Sequence, residues 1–253
     1  MSVPVHPIRL SLRVIRRSIA VAFCIFACLA EYLFNALSGR TALDRRTYTL
    51  HRWSAIALPW LGVRIIVEGP PPAGGLLVSN HLSYLDILVF SAVAPCAFVA
   101  KREIKSWMAV GWIATLAGTI YIDRAARSAT HGIQPEIAAA LAAGTRLVLF
   151  PEGTSSNGHQ ILPFRSSLLQ PAIETSTPVT AACISYEMED GDPAVDVCYW
   201  GDMTMGPHAV KLFGKNGVTA TLRFGREPQV FADRKNAARA LEEEVNELKG
   251  PGK

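Results

Sequence analysis

Beyond residue 63 the chain alternates short apolar runs with longer stretches in which apolar residues recur every three or four positions. Short runs bounded by glycine, proline or polar residues are typical of buried strands, and the periodic stretches are typical of helices. The pattern predicts strands at residues 64–68, 76–79, 97–100, 119–123, 146–150, 179–186, 195–200 and 218–224. The alternation favours an α/β fold in which a mixed sheet is flanked by helices.

Three helices are predicted in the same region. The first covers residues 84–94, and the second covers residues 128–143 and ends at Gly144. Asp233 is a good cap for a third helix that continues through residue 248. Its amphipathic pattern predicts the buried side as Ala237, Leu241, Val245 and Leu248.

The first 63 residues follow a different pattern. Four arginines, the last being Arg17, precede an uncharged apolar run at residues 18–30 that ends at Glu31. This run is shorter than the roughly 20 residues of a membrane-spanning helix, and a second apolar run at residues 53–63 is shorter still. Arginine and tryptophan at the edges of both runs favour a helix pair lying in one leaflet, on the cytoplasmic face of a bacterial membrane. A single transmembrane anchor is the alternative.

These patterns divide the chain into three regions. Residues 1–63 form a membrane-anchoring region, residues 64–232 form an α/β domain, and residues 233–253 form a C-terminal amphipathic helix. A turn-rich connector at residues 70–75, three prolines followed by alanine and two glycines, lies between the anchor and most of the sheet.

Composition points to a lipid surface as the partner. Half of the residues are hydrophobic and the formal net charge is +4, which suits contact with anionic lipid. The basic residues form no stripe interleaved with aromatic ones, so nucleic acid is not predicted as a partner. The five cysteines include no CxxC pair, and we interpret them as reduced thiols in a cytosol-facing protein.

Several chemistries have no motif in this chain. There is no Gly-x-Ser-x-Gly elbow of a serine hydrolase, no GxxxxGK phosphate-binding loop and no dinucleotide fingerprint. The six histidines are scattered rather than clustered, so no metal site is predicted.

The candidate chemistry begins with the segment Asn80-His-Leu-Ser-Tyr-Leu-Asp86, directly after a predicted strand. Its histidine is a natural base, and its carboxylate could orient the imidazole. Residues five apart on a regular helix differ by about 140°. His81 should therefore lie in the turn before the helix, with Asp86 in the first helical turns. Such a turn also offers free backbone N–H groups for an oxyanion or a phosphate. In isolation, a helix cap at Asn80 or Ser83 with an exposed His81 is the alternative.

Two further blocks accompany this pair. The second block is a region from Lys101 that ends in Gly118-Thr-Ile-Tyr-Ile-Asp-Arg124, and the third, Phe150-Pro-Glu-Gly-Thr-Ser155, follows the short β-prone run at residues 146–149. Together these blocks resemble the glycerolipid acyltransferases, a family that includes lysophosphatidic acid acyltransferase. The resemblance covers roughly residues 64–230. It is most specific at the first and third blocks and weaker at a fourth, residues 177–181.

The resemblance implies an O-acyltransferase whose catalytic domain is the region 64–232. His81 would act as general base on the acceptor hydroxyl, with Asp86 orienting it. Arg124 matches the arginine that binds the acceptor's phosphate, and Lys101 is a weaker candidate for the same pocket. The implied substrate-binding residues are Asn80, Ser83, Lys101, Arg124, Glu152, Gly153, Thr154, Ser155 and Arg165.

The implied substrates are a lysophospholipid acceptor and an acyl thioester of acyl carrier protein or coenzyme A, with no metal or prosthetic group. The implied acceptor is 1-acyl-sn-glycerol-3-phosphate, which would yield phosphatidic acid. Ser155, however, stands where the family commonly has an arginine. Arg165 could replace that charge, or the acceptor could be another lyso-lipid such as lyso-ornithine lipid or lysophosphatidylcholine.

Two further expectations concern the acyl chain and the possibility of lost activity. Trp107, Met108 and Trp112 are candidate walls of an apolar tunnel for the acyl chain near the anchor, although such residues are more often ordinary core. An inactive lipid-binding protein on the same scaffold is the alternative of a different class. The intact pair of His81 and Asp86 argues against it.

Overall fold

The computed structural model describes residues 7–106, 108–122 and 135–250. The strands of these ranges are β1 (Val63–Glu68), β2 (Gly75–Ser79), β3 (Ala97–Lys101), β4 (Ile120–Ile122), β5 (Arg146–Leu149), β6 (Val179–Glu187) and β7 (Val218–Phe224). The α-helices are α1 (Pro7–Leu37), α2 (Leu43–Leu61), α3 (Leu85–Val93), α4 (Met108–Leu116), α5 (Pro135–Ala142), α6 (Gln170–Glu174), α7 (Pro193–Asp196), α8 (Met205–Gly214) and α9 (Arg234–Lys249).

The strands form one sheet in the order β1-β7-β6-β2-β5-β3-β4. All neighbouring pairs are parallel except β6 with β7, so the sheet is mixed, as predicted. The central strands β2, β5 and β6 read as nearly continuous apolar runs because helices cover both of their faces.

Alternate residues of the central strands point to two separate cores. On one face, Leu77 and Val148 pack with residues of α2 and α3, including Leu58 and Leu85. On the other face, Leu76 and Leu147 lie in a cluster with residues of α9. Asp233 begins α9 by accepting hydrogen bonds from two backbone N–H groups of its first turn. The predicted buried residues Ala237, Leu241 and Val245 of α9 are buried, and Leu248 is half-buried.

One predicted strand is wrong. Residues 195–200 include two valines, a tyrosine and a tryptophan, which favour a strand, but the chain forms the short helix α7 at Pro193–Asp196 and continues as a loop. The Asp192 side chain caps this helix by accepting from the Ala194 N–H group at 2.9 Å, and Pro193 occupies the first turn. A cap followed by proline is a helix start, and it overrides the strand propensity of the residues that follow.

The other predicted strands are recovered with small shifts of their ends, and some helices of the structure had not been predicted. The predicted helix at residues 128–143 is described only as α5, Pro135–Ala142, and its first part lies outside the described residues. Helices α4, α6 and α8 were not predicted.

The N-terminal region is a helical hairpin that packs on the α/β domain. Glu31, which interrupts the apolar run, lies against α2, where it accepts hydrogen bonds from Thr49 at 3.1 Å and Trp53 at 2.9 Å and pairs with Arg52. Within the described residues, Leu10–Leu37 of α1 is long and apolar enough to cross a membrane, judged by length and composition. Residues of α1 and α2 share the core of the sheet, so these two helices also form one wall of the α/β domain.

Two arginines hold the first half of α1 against the end of α8. Arg17 is 3% exposed and donates to the carbonyl groups of Phe213, Lys215 and Asn216. Arg13 donates to the carbonyl of Gly214 at 3.0 Å. Cations suit this position because the last carbonyl groups of a helix carry partial negative charge.

Candidate functional site

The first and third sequence blocks meet at one edge of the sheet. Strands β2 and β5 are parallel neighbours, so the segments that follow them leave from the same edge. Ligands of open α/β sheets commonly bind outside this carboxyl edge of the strands. The Ser156 N–H group donates to the His81 carbonyl at 2.9 Å, so the two segments are in direct contact.

The predicted pair of His81 and Asp86 is brought together. His81 lies in the turn between β2 and α3, and Asp86 lies in the first turn of α3, as the geometric argument required. The distance from His81 Nδ1 to Asp86 Oδ2 is 2.8 Å. The Asp86 side chain is fully buried, whereas that of His81 keeps 23% of its surface exposed.

Four donors converge on the buried carboxylate of Asp86. Its Oδ2 atom accepts from His81 Nδ1 and from the N–H groups of Leu82 at 2.7 Å and Ser83 at 3.0 Å. Its Oδ1 atom accepts from the Tyr186 hydroxyl at 2.6 Å. Because Asp86 is surrounded by donors, it acts as the acceptor and the proton of the imidazole lies on Nδ1. This tautomer leaves a lone pair on Nε2, where a base needs it.

One expectation about this turn is wrong. The turn was predicted to offer free backbone N–H groups for an oxyanion or a phosphate. Leu82 and Ser83 instead donate to Asp86, and His81 donates to Glu152 at 2.9 Å. Buried carboxylates attract the nearest unpaired donors, so these three groups hold the turn together rather than face a ligand.

Glu152 lies beneath the turn and is 3% exposed. Its second carboxylate oxygen accepts from the Leu162 N–H group at 3.3 Å. Burial raises the pKa of Glu152 to about 7, against the opposing effect of the two backbone hydrogen bonds. The ring of Phe150 stacks on the His81 ring at a centroid distance of 4.1 Å.

Asn80 and Ser83 serve the scaffold of the site. The Asn80 side chain is 2% exposed and pairs with the backbone of Ile184 in β6 through two hydrogen bonds of 2.9 Å. Ser83 is fully buried, and its hydroxyl accepts from the Leu85 N–H group at 3.3 Å. The Asn80 carbonyl oxygen also accepts from the Ser79 hydroxyl at 3.2 Å, so the hydrogen bonds of both side chains lie within the protein.

The rest of the third block borders the site. Gly153 has φ 75°, a left-handed conformation that favours glycine. Thr154 is exposed, whereas the half-buried Ser155 donates its hydroxyl proton to the Tyr199 carbonyl. Arg165 is exposed, and its backbone N–H group donates to the Pro151 carbonyl at 2.9 Å.

The remaining predicted residues belong to the second block. Lys101 is the half-buried last residue of β3, at the same edge of the sheet and two strands away from β2. Arg124 and Trp107 lie outside the described residues, and so does the side chain of Met108. Trp112 is 60% exposed on α4.

Two tyrosines of the site were missed by sequence reasoning. Tyr186 lies in β6, and burial together with the nearby Asp86 raises its pKa well above its ordinary value, so its hydroxyl stays a donor. Tyr199 donates its N–H group to the Leu82 carbonyl at 2.7 Å, and its ring packs edge-on against Tyr84. The only sequence signal for either was an aromatic residue in or near a predicted strand.

The cysteines and possible metal ligands of the described residues add no disulfide and no metal site. All five cysteines are buried and none forms a disulfide. Among the residues that the structure describes, no group of three or more His, Cys, Asp or Glu side chains is arranged to hold a metal ion.

Comparison with known proteins shows that this chain is similar to acyltransferases. Residues 64–185 match the family model described as Acyltransferase. A lyso-ornithine lipid O-acyltransferase of Brucella abortus is 36% identical over 187 residues, which cover 68% of this chain and 70% of the relative. A 1-acyl-sn-glycerol-3-phosphate acyltransferase of Neisseria meningitidis is 36% identical over 195 residues, which cover 70% and 76%.

A solved structure extends the similarity to almost the whole fold. The crystal structure of the 1-acyl-sn-glycerophosphate acyltransferase from Thermotoga maritima superposes with a TM-score of 0.66 and 25% sequence identity. The match covers 97% of this chain and 98% of that one, so it includes the N-terminal helices as well as the sheet.

Proposed function

Because the chain belongs to the family of lysophosphatidic acid and lyso-lipid acyltransferases, we propose that it esterifies the free hydroxyl of a lyso-lipid. The observation that carries the proposal is the contact of 2.8 Å between His81 Nδ1 and the buried carboxylate of Asp86. An oriented imidazole whose Nε2 lone pair is available is what removal of a hydroxyl proton requires.

The proposed reaction is a direct transfer without a covalent enzyme intermediate. His81 Nε2 takes the proton from the acceptor hydroxyl as its oxygen attacks the thioester carbonyl carbon. Asp86 stabilises the imidazolium that forms. The carbon–sulfur bond then breaks, and the leaving thiolate takes the proton from the imidazolium. The acyl donor is proposed to be a thioester of acyl carrier protein or coenzyme A, and these steps need no metal or prosthetic group.

The acceptor head group has two candidates. Lysophosphatidic acid is the first, as the sequence blocks implied. Lyso-ornithine lipid is the second, and it is favoured by Ser155, which takes the place of an arginine and uses its hydroxyl on the Tyr199 carbonyl. The relatives support both candidates, because a lyso-ornithine lipid O-acyltransferase and a 1-acyl-sn-glycerol-3-phosphate acyltransferase are each 36% identical to this chain.

The membrane is the proposed source of the acceptor. The apolar side chains of α1 that remain exposed suit contact with lipid, and they include Ile19, Phe23, Phe26, Leu33, Phe34 and Leu37. We propose that α1 and α2 hold the protein at the cytoplasmic face, where acyl carrier protein and coenzyme A thioesters are found.

The test uses purified full-length protein in lipid or detergent with a labelled acyl thioester and a panel of lyso-acceptors. Wild-type protein should acylate lysophosphatidic acid or lyso-ornithine lipid, and His81→Ala should lose the activity while keeping its melting temperature. Transfer that persists in His81→Ala would refute the role of the base. If the wild type acylates no acceptor with either donor, the protein is an inactive lipid-binding scaffold instead.

A further inference from the structure

The turn that carries His81 is held from several sides by the third sequence block. The Ser156 N–H group binds the His81 carbonyl at 2.9 Å, and Glu152 Oε1 accepts the His81 N–H group at 2.9 Å. Phe150 supports the ring face, with the two ring planes 12° apart. Three residues of one segment thus fix the backbone and the ring of the proposed base.

Glu152 is poorly placed to bind an acceptor directly. Its residue is 3% exposed, and each carboxylate oxygen already accepts a backbone N–H group, one from His81 and one from Leu162. A ligand could reach this carboxylate only by displacing a hydrogen bond that holds the loop. The resemblance alone implied that Glu152 binds and orients the acceptor.

We propose that Glu152 is a positioning residue that holds His81 through its backbone N–H group, and that Phe150 completes the same support under the ring. This inference rests on the proposed function, because it assigns Glu152 to the orientation of the proposed base. Asp86 fixes the imidazole from its Nδ1 side, and Glu152 and Phe150 fix where the turn and ring sit. A displacement of about 1 Å in a reacting group can lower a rate about 100-fold.

The test compares kcat with the KM for the acceptor in Glu152→Gln. Glutamine keeps the size of the side chain but replaces one acceptor oxygen by an NH2 group, which cannot accept from Leu162 or His81. A positioning role predicts that kcat falls about 10- to 100-fold while the acceptor KM changes less than about threefold. A direct role in binding the acceptor predicts a raised KM.

Glu242→Ala is the matched control. Glu242 also accepts a backbone N–H group of the same loop, from Phe164 at 2.8 Å, but none of its hydrogen bonds reaches His81. Glu242→Ala removes the acceptor of the Phe164 N–H group, and Glu152→Gln removes one of the two acceptors that Glu152 offers, so both variants perturb this loop. Only Glu152→Gln changes a side chain that contacts the turn of the base. We expect Glu242→Ala to keep the wild-type kcat. An equal loss of kcat in both variants would mean that the loop matters and that the positioning role is wrong.

Phe150→Leu gives an independent arm in case Glu152→Gln fails to fold. Leucine fills much of the same core volume but removes the stacked ring, so kcat should fall with little change in KM. A raised acceptor KM at unchanged kcat, in Glu152→Gln or in Phe150→Leu, would overturn the proposal. The wild-type protein is assayed in parallel, and a wild type without any transfer would instead mean that the proposed function has failed.

Discussion

Substitution of Ser155 by arginine should shift the choice of acceptor toward the one that carries a terminal phosphate. Ser155 is half-buried beside the His81 turn and donates to the Tyr199 carbonyl. Tyr199 in turn donates to the Leu82 carbonyl at 2.7 Å, so this small bridge links the first and third blocks. An arginine here breaks the bridge and adds a planar cation next to the exposed Thr154.

The expected magnitude comes from two hydrogen-bond terms. The lost serine hydrogen bond is a neutral one, worth about 0.5–1.5 kcal/mol, and its loss affects every acceptor alike. A charge-assisted bond from arginine to phosphate is worth about 1.5–3 kcal/mol and is available only to a phosphate head group. At about 1.4 kcal/mol per factor of ten, the ratio of kcat/KM values should move roughly 10- to 100-fold toward lysophosphatidic acid.

The assay is a competition between lysophosphatidic acid and lyso-ornithine lipid in the same mixed micelles. Ser155→Ala is the control, because it removes the bridge without adding charge and should lower both activities by a similar factor. The reasoning is refuted if Ser155→Arg leaves the ratio within about threefold of wild type, or if Ser155→Ala shifts it as much. Melting temperatures of both variants establish that the comparison is between folded proteins.

Three further predictions concern stability. Burial raises the pKa of Glu152 from its ordinary 4.5 to about 7, so the folded state holds this proton more tightly than the unfolded state. The free energy of unfolding of the wild type, measured relative to that of Glu152→Gln, should therefore fall by about 3 kcal/mol as pH rises from 4.5 to 7 and then level off. A difference in melting temperature between the two proteins that stays constant with pH would contradict this. Tyr186→Phe removes a hydrogen bond to the buried carboxylate of Asp86 and should cost about 1.5–3 kcal/mol in thermal unfolding. Tyr121→Phe, which loses bonds to neutral partners only, should cost less, and an equal loss would refute the argument. Arg17→Ala leaves several carbonyl groups at the end of α8 without their donor. It should lower the free energy of unfolding by several kcal/mol and speed proteolysis at the end of α8. Arg16→Ala, at an exposed position, is the control.

Most of the sheet could be predicted from the sequence because its central strands are short, apolar and followed by turns. The predicted strand at residues 218–224 coincides with β7, and the strand before His81 differs from β2 by one residue. The failure at residues 195–200 has a local cause, since a cap and a proline begin a helix where the side chains alone favour a strand. Strand order, in contrast, depends on which faces pack together, and local pattern carries no information on it.

The site was predictable to the extent that it is local. His81 and Asp86 are close in sequence, and the geometry of a turn before a helix restricts how they can meet. Tyr186 lies 100 residues from Asp86, and only the pairing of β2 with β6 brings it near. For Glu152 the resemblance implied a contact with substrate, whereas the fold turns both carboxylate oxygens to the backbone.

The packing of α2 on α3 links the proposed lipid-facing surface to the proposed base. His51 of α2 lies 2.8 Å from the Ser91 carbonyl of α3, measured from Nδ1, and Leu58 of α2 shares a core with Leu85 of α3. Helix α3 carries Asp86 in its first turn, and Asp86 fixes the imidazole of His81. If α1 and α2 contact lipid as proposed, this packing of α2 on α3 sets the depth of His81 relative to the membrane. An acceptor could then present its hydroxyl to the base while its acyl chain stays in the apolar layer, which is the geometry that acylation of a membrane lipid requires.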